Sequence, residues 1–251
     1  MSLLAVLAFG FFLGMRHATD ADHVVAISTI VSRERSIRLA GVMGALWGLG
    51  HTLTIVLVGG AILLLGVVIP ARVGLTMEFS VAVMLVVLGG LNLGGFLGDA
   101  RRIARKGHGH AHPHGHDDEV PHDHDHDHGA LSSALLRRLG PIGVVRPLVV
   151  GVVHGLAGSA AVALLVLTTI REPVFAMAYL AVFGVGTIAG MMIITSALAV
   201  PLAYSAKRFT SLERPMAAVS GLLSVAFGLF LIYQIGFVDG LFTATPHWDP
   251  K

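Results

Sequence analysis

Hydrophobic residues along this chain form runs much longer than the core of a soluble domain requires. Six runs reach or exceed the roughly 20 apolar residues that a membrane-spanning helix needs. They cover residues 3–31, 39–69, 79–98, 147–170, 174–204 and 216–242. Polar residues interrupt the first run, so we expect its helix to be kinked or partly unwound. The pattern predicts an all-α fold, a polytopic bundle of about six transmembrane helices.

The polar connections between the runs predict the orientation of the bundle. Basic residues cluster after the first, third and fifth runs, whereas the opposite connections contain only Arg72 and Arg171. Because positively charged connections stay in the cytoplasm, both termini are predicted to lie outside the plasma (inner) membrane. The chain then divides into a transmembrane half over residues 1–98, a cytoplasmic loop over 99–146 and a second transmembrane half over 147–251.

Glycine-containing segments recur in the two halves. A glycine lies three positions before a histidine in the first and fourth runs, at Gly14 and Gly151. A Gly-x-Gly pattern recurs in the second and fifth runs, at residues 48–50 and 184–186. An odd number of spans per half makes such a repeat inverted, an arrangement that many secondary transporters use. The recurrence therefore indicates a 3+3 inverted repeat.

Composition narrows the class of protein. The chain is 55% hydrophobic and 13% charged, with a mean hydropathy of +0.80, whereas soluble domains are about 25% charged. Its basic residues form short clusters between apolar runs, which is typical of membrane topology, so no nucleic-acid partner is predicted. Cysteine is absent, which excludes disulfides and thiolate metal ligands.

Candidate chemistry concentrates in the first run, which contains Arg16, His17, Asp20, Asp22 and His23. Ionisable groups in a span cost several kcal/mol, so their presence indicates function. On a continuous helix, His17, Asp20 and His23 are successively about 60° apart and share a face. Asp22 lies off that face, so it reaches the same ion only if the helix unwinds, or else it accepts an imidazole N–H. Imidazole with carboxylate suits Ni²⁺, Co²⁺ or Zn²⁺; the alternative is a charge network that only holds helices together.

Two further histidines, His51 and His154, stand alone in the second and fourth runs. Glycines beside each of them would let neighbouring helices pack closely. We include both among the candidate metal ligands; the alternative for each is a hydrogen-bonded interior residue. We assign Arg16, Thr52 and Asn92 a supporting role around the ligands.

Two of these segments resemble motifs of a known family. Residues 16–23, Arg-His-Ala-Thr-Asp-Ala-Asp-His, resemble the RHAxDADH signature of the nickel/cobalt transporter family, and residues 49–52 resemble the Gly-His-Ser/Thr element of its next helix. The resemblance implies transport of Ni²⁺ or Co²⁺ as substrate. By resemblance, the ion-selecting residues are His17, Asp22 and His23, with Asp20 and His51 close behind. Many members have seven or eight spans and a helix before the signature, whereas here the signature lies in the first span.

The central loop carries a second candidate metal-binding feature, a histidine-rich tract. Its nine histidines are His108, His110, His112, His114, His116, His122, His124, His126 and His128. The apolar-poor composition is typical of a disordered metal-binding tract, and a solubilising linker is the alternative. The tract could pass incoming ions to a cytoplasmic metallochaperone, feed an exporter or sense metal. It is similar to the loops of related six-span nickel/cobalt exporters and of short urease-associated members of the family.

These observations together predict a secondary transporter that takes up Ni²⁺ or Co²⁺, not an enzyme, with no cofactor required. The sequence lacks the G-x-x-x-x-G-K-[ST] loop that binds ATP phosphates. Efflux by the same fold is one alternative, and a metal sensor or an accessory membrane component is another. A di-iron membrane enzyme is disfavoured because the spans contain no HxxHH cluster. The sequence leaves the oligomeric state open.

Overall fold

The computed structural model describes residues 3–32, 34, 36–106, 131–156, 170, 172–208 and 213–248. The described residues form seven α-helices and one π-helical segment, Gln234–Val238, that continues the last helix. The helices are α1 (Leu3–His17), α2 (Ala21–Val31), α3 (Ile37–Leu65), α4 (Ala71–Lys106), α5 (Leu131–His154), α6 (Pro173–Arg208) and α7 (Glu213–Tyr233). This architecture confirms the predicted all-helical bundle.

Four of these helices are long and apolar enough to cross a bilayer. The candidate spans are Ile37–Leu65, Ala71–Gly95, Pro173–Pro201 and Pro215–Val238. They agree with four of the six predicted spans and make the chain a membrane protein. The first predicted span is divided between the shorter helices α1 and α2. The fourth predicted span begins in α5, and most of its remainder, residues 157–169, lies outside the described residues.

The first span is interrupted where its sequence is most polar. Helix α1 ends at His17, and α2 begins at Ala21 after an extended Asp20 (φ −61°, ψ 147°). The Asp20 amide donates to the His17 carbonyl oxygen at 3.1 Å, and the Val24 amide donates to the Asp20 carbonyl oxygen at 3.0 Å. Such breaks are tolerated at membrane depth where the backbone is enclosed by protein. The expected unwinding is therefore present, over residues 18–20.

The helices of the two halves pack in a reciprocal pattern. Helix α1 packs against α6, α5 against α3, α3 against α6, and α4 against α7. A Cβ at Gly14 would collide with the Phe183 carbonyl oxygen, and one at Gly151 would collide with that of Trp47. The first helix of each half thus approaches the second helix of the other half at a matching glycine; the inverted orientation of the repeat stays a prediction.

The segment between the halves is shorter in the structure than the predicted loop over residues 99–146. Helix α4 continues to Lys106 and α5 begins at Leu131. The histidine-rich tract, His108 to His128, falls between them and lies outside the described residues. Its metal-binding role stays a prediction.

Candidate metal site

Four histidines from four helices converge inside the bundle. His17 ends α1, His23 lies in the first turn of α2, His51 lies in the middle of α3, and His154 ends α5. His17 is 6% exposed and the other three are 0% exposed. Ring centroids are 4.7 Å apart for His17 and His23, 5.0 Å for His23 and His51, and 4.3 Å for His23 and His154. We call these four residues the histidine cluster.

The break between α1 and α2 places two carboxylates against the cluster. Asp20 Oδ2 lies 2.9 Å from His17 Nδ1. Asp22 Oδ1 lies 3.0 Å from His23 Nδ1, and Asp22 Oδ2 lies 2.9 Å from His154 Nε2. A carboxylate that accepts one ring N–H fixes the imidazole and directs its other nitrogen to a metal. While Nδ1 carries the ring proton, the nitrogen left for a metal in His17 and His23 is Nε2.

His17, His23 and His51 form a first set of possible ligands. Their ligand atoms lie within 4.8 Å of one another. His17 Nε2 and His51 Nε2 are 2.9 Å apart, so without an ion one of them must donate a proton to the other. His23 Nε2 is buried and has no hydrogen-bond partner among the described residues. Two nitrogens at right angles around one ion, each about 2.1 Å from it, would be about 3 Å apart. An ion could therefore replace the shared proton.

Asp22, His23 and His154 form a second set, again with ligand atoms within 4.8 Å of one another. His154 Nδ1 is buried and without a hydrogen-bond partner in the described part of the chain. The two sets share His23. Together they offer only nitrogen and oxygen ligands, which suit borderline divalent ions.

Two aromatic side chains that sequence reasoning missed enclose the cluster. The Trp47 ring lies 5.3 Å from the His23 ring and 5.4 Å from that of His154. The Phe183 ring lies 5.7 Å from the His17 ring. Trp47 precedes His51 by four residues and so shares its helix face; that spacing is the signal that could have found it. Phe183 has no comparable signal, because its partner is on another helix.

The structure also places the residues that were assigned a supporting role. Arg16 is exposed at the end of α1. The Thr52 hydroxyl donates to the Gly184 carbonyl oxygen at 3.2 Å, which joins α3 to α6. The Asn92 amide donates to Ser32 Oγ at 2.9 Å and to the Ala217 carbonyl oxygen at 3.1 Å, which joins α4 to α2 and α7. These contacts are between helices, and a role for them in metal binding stays a prediction.

The fold and the site define a class: a helical membrane protein with buried imidazole and carboxylate groups at a break in its first span. The chain is 32% identical to the urease accessory protein UreH of Bacillus sp. (strain TB-90) over 242 residues, which cover 96% of each protein. It therefore belongs to the family of UreH. The relationship to an accessory protein confirms the prediction that the chain is not an enzyme. No family model and no solved structure matches the chain.

Proposed function

We propose that this protein transports Ni²⁺ or Co²⁺ across the membrane into the cell, as the nickel/cobalt transporters that its signature resembles do. The observation that carries the proposal is the histidine cluster itself, held by two carboxylates inside the bundle. Four buried imidazoles are not needed to hold helices together, since buried polar groups without partners destabilise a fold. Three of them have a nitrogen without a hydrogen-bond partner among the described residues: His23, His51 and His154.

The chemistry of the cluster suits a dehydrated divalent ion. Imidazole nitrogens can replace the water ligands of Ni²⁺ or Co²⁺, and Asp20 and Asp22 supply negative charge close by. Only a ring nitrogen that carries no proton can act as a ligand, so binding fixes which nitrogen of each imidazole holds its proton.

The family relationship supports the same metal. The relative is a urease accessory protein, and the nickel/cobalt transporter family that the signature resembles includes short urease-associated members. The signature at residues 16–23 and the relationship to UreH thus both point to urease-associated members of the nickel/cobalt transporter family. The relationship to a urease accessory protein also favours a second candidate function, an accessory component that acts only with partner proteins. Transport by the purified protein alone in liposomes would exclude that second function.

The proposed topology has six passes with both termini outside. The break at residues 18–20 then lies within the first pass. An inward-negative potential favours the entry of a divalent cation by about 4–5 kcal/mol per 100 mV, twice the value for a single charge. Uptake therefore needs no second ion. The histidine-rich tract would be cytoplasmic and would collect incoming ions for a metallochaperone.

Accumulation of ⁶³Ni²⁺ in cells that express the protein tests the proposal. His17→Ala and His23→Ala each remove one imidazole from the cluster, and His247→Ala is the matched control because His247 is exposed in the C-terminal segment. We expect raised accumulation with the unchanged protein and with His247→Ala, and background accumulation with the two cluster variants at equal membrane levels. Lowered accumulation would reverse the direction to export. Equal accumulation in all strains would refute transport.

A further inference from the structure

We infer that the cluster holds one divalent ion in two overlapping positions that share His23, and that the ion moves between them during transport. The first position consists of His17, His23 and His51, all from the first half of the chain. The second consists of Asp22, His23 and His154, and includes a ligand from the second half. This inference rests on the proposed function and adds the path of the ion within the site.

Geometry separates the two positions. The His154 ring is 4.3 Å from the His23 ring, the closest ring contact in the cluster, but 6.1 Å from the His51 ring. The two sets of ligand atoms within 4.8 Å are distinct triplets with His23 in common. An ion bound between His17 and His51 is therefore not bound by His154 at the same time. His23 lies between the two positions and can contact an ion in either one.

The two ring nitrogens of His23 face different neighbours. Nε2 is buried and has no hydrogen-bond partner among the described residues, which leaves it available to an ion in the first position. Nδ1 lies 3.0 Å from Asp22 Oδ1, and Asp22 Oδ2 lies 2.9 Å from His154 Nε2. These separations are close to the ~3 Å expected for adjacent ligands of one ion. Transfer would move the ion from His23 Nε2 to Nδ1 and the His23 ring proton from Nδ1 to Nε2. His154 would at the same time move its ring proton from Nε2 to Nδ1, which has no hydrogen-bond partner among the described residues, so neither imidazole gains or loses a proton.

The repeat gives independent support for a ligand role of His154. His154 ends α5 as His17 ends α1. Each histidine comes three residues after a glycine, Gly14 or Gly151, and each glycine packs against the backbone of a helix from the other half. His154 therefore occupies in the second half the place that His17 occupies in the first. In inverted-repeat transporters the halves move against each other around the site, and only the second position joins both halves.

The competing explanation is that His154 only orients Asp22 by donating a hydrogen bond. His154→Gln distinguishes the two roles, because a glutamine amide can donate to Asp22 but does not replace an imidazole ligand. Co²⁺ absorption spectra of the purified, detergent-solubilised protein report the ligands directly. The variants are His51→Ala, His154→Ala, His154→Gln and the double variants of His51→Ala with each change at His154. His247→Ala is the control.

We expect each single variant to bind one Co²⁺ in the cluster, besides the ions held by the histidine-rich tract that all variants share, with an affinity within about tenfold of the unchanged protein. The spectrum of the cluster ion should differ between His51→Ala and His154→Ala. Both double variants should lose at least 100-fold in affinity. In proteoliposomes, each single variant, His154→Gln included, should transport at least tenfold more slowly than the control. A double variant that binds Co²⁺ like His51→Ala, or His154→Gln that transports normally, would overturn the second position.

The outcomes also separate this inference from the proposed function. Normal transport by His154→Gln overturns the second position and leaves transport intact. Absence of transport by the unchanged protein, together with the expected spectra, overturns the proposed function and leaves the two positions supported. If His154→Ala does not give a single peak in size-exclusion chromatography, His154→Gln alone decides, because it retains the hydrogen bond to Asp22.

Discussion

Replacement of Asp22 by asparagine tests how the carboxylates act on the cluster. Asp22 accepts three hydrogen bonds in the structure: from the His23 backbone amide at 3.0 Å, from His23 Nδ1 at 3.0 Å and from His154 Nε2 at 2.9 Å. Asp22→Asn removes the negative charge and turns one acceptor oxygen into a donor NH₂ group. One of the two imidazoles then faces a donor and must turn away or change its tautomer.

The expected loss follows from the number of imidazoles that each carboxylate holds. Removal of a carboxylate that orients a histidine ligand lowers metal affinity by about 10–100-fold, which is about 1.4–2.7 kcal/mol. Asp22 holds two imidazoles and its side chain is 18% exposed, whereas Asp20 holds one and is 39% exposed. We therefore expect a loss of about 100-fold for Asp22→Asn and about tenfold or less for Asp20→Asn.

Isothermal titration of the purified protein with Ni²⁺ measures both losses, and size-exclusion profiles check that the variants remain folded. A continuous helix would give the opposite order, because Asp20 shares a face with His17 and His23 on such a helix. An equal or greater loss for Asp20→Asn would therefore refute the reasoning from the hydrogen bonds. An unchanged affinity in Asp22→Asn would do the same.

Three further predictions concern the scaffold and the loop. A Cβ at Gly89 would lie 2.8 Å from the Val225 nitrogen, whereas nothing lies within 4 Å of a Cβ at Gly90. Gly89→Ala should therefore lower the free energy of unfolding by about 1–3 kcal/mol, and Gly90→Ala should raise it by up to about 1 kcal/mol. Thermal unfolding measures both changes, and the reverse order would contradict the packing. Trp248→Phe removes the indole donor to Glu78 Oε1 at 2.9 Å and should cost about 1 kcal/mol without changing Ni²⁺ affinity in titrations. Deletion of residues 107–129 should reduce the number of Ni²⁺ ions retained after dialysis and leave the one bound in the helices; loss of that last ion would show that the tract is part of the site.

The fold was predictable because its signals are local. Long apolar runs give helices in lipid whatever their partners, and the ionisable residues at 16–23 gave the break in the first span. The structure places that break at residues 18–20. The repeat was also visible, since glycines recur where helices from opposite halves touch.

The partners of the carboxylates were not predictable from a helical projection. That projection placed Asp20 on the face with His17 and His23 and left Asp22 outside it. In the structure the extended Asp20 turns the chain between α1 and α2, so Asp22 and His23 belong to a new helix with its own direction. The family resemblance had emphasised Asp22 and implied a non-ideal helix. The backbone angles of Asp20 explain why the helical projection and the family resemblance pointed to different carboxylates.

The second half of the chain shows that the symmetry of the scaffold and the chemistry of the site are separate properties. A Cβ at Gly151 would lie 3.0 Å from the His51 amide nitrogen, and one at Gly14 would lie 2.8 Å from that of Thr187, so Thr187 matches His51 in the repeat. Thr187 is buried, and its hydroxyl donates to the Phe183 carbonyl oxygen at 3.0 Å, within its own helix. A threonine so engaged offers no imidazole, and a second copy of the first position cannot form around it. The backbone therefore repeats while the ligands do not, and His154 is the cluster's one contribution from the described residues of the second half. This arrangement supports the proposed second position, because the second half contributes to it only together with Asp22 and His23 of the first.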